Sequence, residues 1–258
     1  MSVQGVKRSS PGAEEEKNPF GSVELTDEDA KKLQIVQKDI ARTDLYLERK
    51  AQEKMLGVYE KRRQIAKAIP KFWPVALMNN SMFAMHSQHN ADQMALSYLE
   101  DLWIVRDPVE TRCFTLEFYF KENPYFSNRV LKKEYKYVPP PAASTDKADE
   151  DGITEAMLEF SWERDVDPQA FKIDWKDGSK NLDQADGGSI FNYFECAEDH
   201  FDIGVLIAND VFPDAIDYFL GQVPDDDELG DETDEDDEDE DEDEIDLEKP
   251  RPKKPRQK

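Results

Sequence analysis

Residues 27–69, DEDAKKLQIVQKDIARTDLYLERKAQEKMLGVYEKRRQIAKAI, hold no proline and a single glycine. Their apolar members Leu33, Val36, Ile40, Leu47, Ala51, Met55, Val58, Ile65 and Ile69 recur in steps of 3, 4, 7, 4, 4, 3, 7 and 4. That rhythm predicts one uninterrupted amphipathic helix. Thr26 is a suitable N-cap, Asp27, Glu28 and Asp29 sit at the positive end of the helix dipole, and Pro70 cannot continue the ladder. At 1.5 Å per residue the rod would be about 65 Å long, beyond what one small domain can cover. A solvated rod, or a helix laid on its own domain, would also tolerate the charged complement. No second stretch is comparably long and periodic, so the preferred expectation is a homodimer joined through Leu33, Val36, Ile40, Leu47, Ala51, Met55, Val58 and Ile65.

Outward from the rod the composition shifts sharply. Residues 1–25 are polar and broken by Pro11, Gly12, Pro19 and Gly21, which reads as a disordered arm. At the other end, residues 225–244 carry 17 acids and no base, too little apolar matter to bury a core, and are expected to be disordered. From Asp225 onward 19 acids face 6 bases, a charge of −13, so the remainder holds the other half of the chain's −26. A body acidic in its own right repels phosphate-bearing nucleic acid and membrane surfaces and attracts polycations through a salt-sensitive field. The terminal KPRPKKPRQK reverses the sign. Lys253, Lys254 and Arg256 form a K-K-x-R cluster on an extended, proline-rich segment, the form of a nuclear import signal; folding back on the acidic run is compatible with it. Cys113 and Cys196 lack C-x-x-C spacing, the first thirty residues lack an apolar signal core, and no run reaches bilayer length. A reducing compartment is expected.

Between rod and tail, residues 71–224 read as an α+β domain. An aromatic and Met-rich segment turns at Asn79 and Asn80; Asn90 then caps a helix with Met94, Ala95, Tyr98, Leu99 and Leu102 on its apolar face. Period-two patterning begins near Trp103. In residues 111–121, Phe114, Leu116, Phe118 and Phe120 alternate with Thr115, Glu117, Tyr119 and Lys121, and residues 129–138 return with Leu131, Lys133, Tyr135 and Tyr137 on one side. Asn123 and Pro124 mark the hairpin turn. Residues 157–162 and 171–175 alternate again and predict two further strands ending near Asp177 and Gly178. Helical spacing resumes over residues 189–220, where Glu195, Glu198, Asp199, Asp202, Asp210, Asp214 and Asp217 appear with no lysine or arginine. Such a single-sign face suits a cation-rich partner; a plain solvated surface is the bland alternative.

No catalytic constellation assembles. His86 and His89 lack the glutamate and the i, i+4 spacing of a zinc-hydrolase helix and read as surface residues. Cys196, Asp199 and His200 are neighbours in sequence only, and Gly187–Gly188 lacks the lysine of a phosphate loop. No enzyme, cofactor or metal site is expected.

The words IAKAIPKFWPVALMNN, FYFKENPYFSNRVLKKEY, IDWKDGSKNL, SIFNYF and NDVFPDAIDYFL, in that order, resemble the nucleosome assembly protein family of histone chaperones, from Leu33 to the tail. The short approach to the rod and IPKFW are similar to its SET-like branch, fungal type. The resemblance implies an antiparallel dimer of ear-muff form, with core histones bound beneath on acids that here are those from Glu195 to Asp217, supported by the tail beginning Asp225, Asp226, Asp227. It implies a nuclear protein that delivers histones for nucleosome assembly; the alternative is a regulatory partner of a histone acetyltransferase or a phosphatase inhibitor. Two departures stand out: the basic insertion of many relatives is replaced by short, acidic residues 183–188, and the strand-like 157–162 is foreign to the pattern.

Overall fold

A computed structural model describes residues 26–141, 146–177 and 189–223. The arm, residues 183–188, the acidic run and the basic terminus therefore lie outside the described residues. Helix α1 is Asp27–Ala66, its Thr26 Oγ1 accepting from the Asp29 amide at 3.2 Å. The rod stops three residues before the expected Ile69. Pro70 follows in a turn, and Lys71 adopts φ 60, a left-handed elbow that redirects the chain into α2, Phe72–Met78. Two short helices come next, α3 at Ser81–His86 and α4 at Asn90–Leu96. Asn80, read from sequence as a turn residue, caps α3 by accepting from the Phe83 amide at 2.9 Å, whereas Asn90 opens α4 rather than capping it.

The sheet has four antiparallel strands in sequence order: β1 Leu99–Arg106, β2 Phe114–Phe120, β3 Val130–Tyr137 and β4 Val166–Gln169. Leu99 and Leu102, expected on a helix, belong to β1. Leu116 stands opposite Ile104 and Lys133, and Phe118 opposite Leu102 and Leu131, so these side chains share the face that enters the core. The expected alternation in β2 and β3 is what sorts them. Asn123 Oδ1 accepts from the amides of Tyr125 and Phe126 and closes the hairpin turn, which drives Phe126 into the core against Phe120.

The two later strands expected from sequence are not formed. Residues 155–165 instead make short helices, α5 Glu155–Leu158 and α6 Trp162–Asp165, leading into β4. Their apolar residues alternate because they serve two separate cores: Met157 packs with Ile153 on Leu45 of α1, while Trp162 lies against Phe114 and Tyr135 of the sheet. Residues 171–175 are extended but pair only through an isolated bridge between Phe126 and Trp175. The Ile173 amide and Trp175 indole are met by the Glu195 carboxylate, each at 3.2 Å, instead of by a neighbouring strand.

Helices α7 Asn192–Glu195, α8 Ile203–Leu206 and α9 Ala215–Leu220, with a π-helical turn at Ile207–Val211 between the last two, complete the cover.

Helix α1 has two unlike sides. Leu45 is buried, Arg49 donates to the Gly152 carbonyl at 3.1 Å, Arg42 and Lys38 pair with Asp149 and Glu155, and Arg63 donates to buried Asp101 at 2.6 Å. These residues hold the rod to its own domain. At about 100° per residue the sequence-derived stripe falls on the opposite side. Leu33, Val36, Ile40, Leu47, Val58 and Ile65 each remain more than half exposed, Met55 is 38% exposed, and Ala51 is exposed.

Candidate functional site

The acid-rich segment is anchored by a lysine on the wrong side of a strand. Lys133 falls with Leu131 and Tyr135 on the core face of β3 and is fully buried. Its Nζ donates to the carbonyls of Cys196 and Ala197 at 2.6 and 2.8 Å and lies 5.2 Å from the Tyr193 ring centre. Burial pushes this ammonium below its ordinary pKa. Two residues along, Tyr135 donates to Asp199, whose carboxylate also accepts from the amides of Ile203 and Gly204 at 3.0 and 2.8 Å. Burial first, and then the neighbouring Tyr193 and Asp199, raise the Tyr135 phenol far above its usual value, so it stays a donor. The loop from Cys196 to Asp202 is thus tied to the sheet at two points, and α8 starts from a fixed position. Lys133→Met is expected to lower unfolding free energy by about 2–3 kcal/mol, since two carbonyls lose a charged donor. Urea denaturation would measure it, and a change within error would show that water replaces the ammonium without loss.

The seven acids divide by what they touch. Glu195 pins residues 173–175, and Asp199 caps α8 and receives Tyr135. Asp210 accepts from Asn80 Nδ2 at 3.1 Å and Tyr218 Oη at 2.8 Å. Tyr218 is pushed up to about 12, by burial first and then by that carboxylate. The remaining four, Glu198, Asp202, Asp214 and Asp217, are exposed. Glu198 lies 3.4 Å from His200 Nε2, an i, i+2 contact at the surface. Asp202 has φ 53, a left-handed conformation that is uncommon outside glycine, and projects from the start of α8. Asp225, Asp226 and Asp227, like Lys253, Lys254 and Arg256, lie outside the described residues.

Sequence reasoning missed Lys133 as an anchor. The signal was present: a lysine in register with Leu131 and Tyr135 has to be satisfied inside or break the strand's face. The trio Cys196, Asp199 and His200 does not assemble as a relay, because Asp199 is consumed by Tyr135 and two amides. Among the described residues no group of three or more His, Cys, Asp or Glu is placed to hold a metal ion, and no helix is long and apolar enough to cross a membrane.

Fold and site together define an acidic α+β protein built on a rod-like helix, with a single-sign helical cover over one face of an antiparallel sheet. Residues 20–222 match the family model described as nucleosome assembly protein, and the chain belongs to that family. It is 31% identical over 207 residues to nucleosome assembly protein 1;3 of Nicotiana tabacum, across 68% of this chain and 52% of that one. The chain therefore spans about half the length of such relatives. A crystal structure of nucleosome assembly protein from Plasmodium falciparum superposes with TM-score 0.51 at 28% identity, covering 76% of this chain and 97% of that chain. A Ccp1 mutant structure, 22% identical, shares the fold with TM-score 0.59 over 76% of this chain and 95% of its own.

Proposed function

We propose that this protein is a nuclear histone chaperone that works as a homodimer, screens histone bases from non-specific DNA contact and hands them over for nucleosome assembly. The observation that carries the reading is the division of labour among the acids. Three are spent on positioning the helical cover, and four are left exposed on it; residues 189–223 contain no lysine or arginine, and Arg62 of α1 lies within electrostatic reach of one of the four, Asp214. The same bases that would neutralise DNA phosphates meet carboxylates instead, with a salt-dependent affinity. The run from Asp225 adds long-range capture, and the folded acids add orientation. No bond is made or broken in this role. Dimerisation is supported by the bare stripe on α1, opposite the side that the domain already covers. The finer placing on the SET-like branch rests on the IPKFW wording.

Reversing Glu198, Asp202, Asp214 and Asp217 together to lysine is expected to weaken core-histone binding by about 10- to 100-fold near physiological salt. Fluorescence titration of labelled histones against full-length protein and against residues 1–224 would check it, with circular dichroism confirming the fold. Unchanged affinity of the charge-reversed protein, or equal competition by polylysine, would move the binding to the tail alone. Asp199 and Asp210 are unsuitable for this test, because reversing them would break the fold's own hydrogen bonds.

A further inference from the structure

A cleft of about 410 Å³ opens between the α3–α4 junction and the loop joining α7 to α8. Its floor is apolar, formed by buried Ile190, Tyr193 and Ile203. One wall is Met85, 52% exposed, and the other is Phe201, 62% exposed, with the His86 ring 4.4 Å from the Phe201 ring. Exposed Glu198 and half-buried Asp199, the latter already holding Tyr135 and two α8 amides, line it together with all three histidines of the chain. Among the described lining residues there is no lysine or arginine.

We propose that this cleft takes one large apolar side chain, aromatic or aliphatic, from a basic peptide segment whose flanking lysines or arginines lie over the surrounding acids. The idea rests on the chaperone reading and deepens it, by giving the acidic surface a means of choosing among polycations. Carboxylates alone attract any basic chain; a desolvated anchor in a pocket supplies the selective part of an interface. The cleft has the volume of a small ligand site and a mainly apolar lining with polar groups at its edge. A neighbouring basic segment is the complement because, among the described lining residues, the fixed charges are negative and Glu198 is exposed. Phe201 is the decisive residue. It lies between Glu198 and Asp202 on a loop tied down by Lys133 and Tyr135, so the exposed ring is presented on a rigid support beside acids.

Cys196 lies in the same cleft and is exposed, whereas Cys113 is buried and its thiol is pushed up to about 12 by burial. The native chain thus carries its own probe. Full-length protein would be incubated with a short synthetic peptide of lysines and arginines around one central phenylalanine, and alkylation of Cys196 by N-ethylmaleimide followed by mass spectrometry. At saturation the peptide is expected to slow alkylation about tenfold by blocking access. A peptide of equal charge with serine in place of phenylalanine should protect weakly, and a Phe201→Ser, Met85→Ser protein, altered only at exposed positions, should cease to distinguish the two. Equal protection by both peptides, or binding of both without protection, would overturn the proposal. So would faster alkylation of the free protein after residues 178–188 are exchanged for a Gly-Ser linker, since the occupant would then be the chain itself. Core-histone binding is measured in parallel. Its complete absence overturns the chaperone reading, whereas histone binding that leaves Cys196 equally reactive overturns the anchor cleft alone.

Discussion

Gly204→Ala is expected to lower the stability of the domain by about 3 kcal/mol or more, at or above the top of the usual cost of overpacking a core. A Cβ at this position would lie 1.8 Å from the Tyr135 hydroxyl oxygen, 2.2 Å from Cζ and 2.4 Å from Cε2. No rotamer change of a flexible tail can relieve it. The Tyr135 ring is 1% exposed, packed 4.8 Å from Phe114 and 5.6 Å from Trp162, with its hydroxyl 3.0 Å from that of Tyr193. Nor can α8 withdraw freely, because the Gly204 amide donates to Asp199 at 2.8 Å. Either movement breaks the tie between sheet and acid-bearing loop, so the proposed histone binding should fall together with stability. The measurement is a urea unfolding curve, in which the midpoint drops and the slope stays constant. A loss below about 1 kcal/mol would mean that the ring and helix part easily, and the loop would then not be rigidly held.

The second large effect concerns assembly. Ile40→Glu with Leu47→Glu is expected to convert a dimer of twice 29.8 kDa to a 29.8 kDa monomer, weakening self-association by at least about a thousandfold through two carboxylates buried without partners. The chain itself should stay folded, since Ile40 and Leu47 are 55% and 57% exposed on it. Leu45→Glu supplies the contrast. Only two residues from Leu47, it faces Ile153 and Met157, so it should loosen residues 149–158 and leave the mass unchanged. Light scattering with size exclusion separates the outcomes. A wild-type monomer at micromolar concentration, or a Leu45→Glu monomer with an intact Ile40→Glu, Leu47→Glu dimer, would refute the assignment of the two sides.

What could be read in the chain was whatever local periodicity controls. The rod, the β2–β3 hairpin with its core-facing phenylalanines, and the acid-rich cover all appear where the spacing of residues places them. Misreadings arose where one short segment serves two masters. Met157 and Trp162 alternate like strand residues, yet one fills a gap on α1 and the other a gap on the sheet, and Thr154 and Asp165 close the two helical turns that carry them. Leu99 and Leu102 fit a helical face as well as a strand, and only pairing with β2 decides. The acids were visible as a charge pattern, but not the split among them. Whether a carboxylate meets an amide, a tyrosine or solvent depends on residues such as Tyr135 and Asn80, more than sixty and one hundred and thirty positions away.

The junction after α1 has a mechanical meaning. Arg62 donates to the Pro213 carbonyl at 2.8 Å with its guanidinium 4.5 Å from the Phe212 ring, and on the adjoining position Arg63 grips Asp101 with its guanidinium 4.4 Å from Trp103. Two adjacent cations thus fasten the end of the rod to two different parts of the domain, and a twist or bend at the elbow would have to break both. Rod and domain of one chain therefore move as a single lever. Because Lys38, Arg42, Leu45 and Arg49 also lie against residues 149–158 of the same chain, a heptad inserted between Arg49 and Arg62 would shift one set of grips from the other by about 10 Å along the axis, and both could not stay engaged.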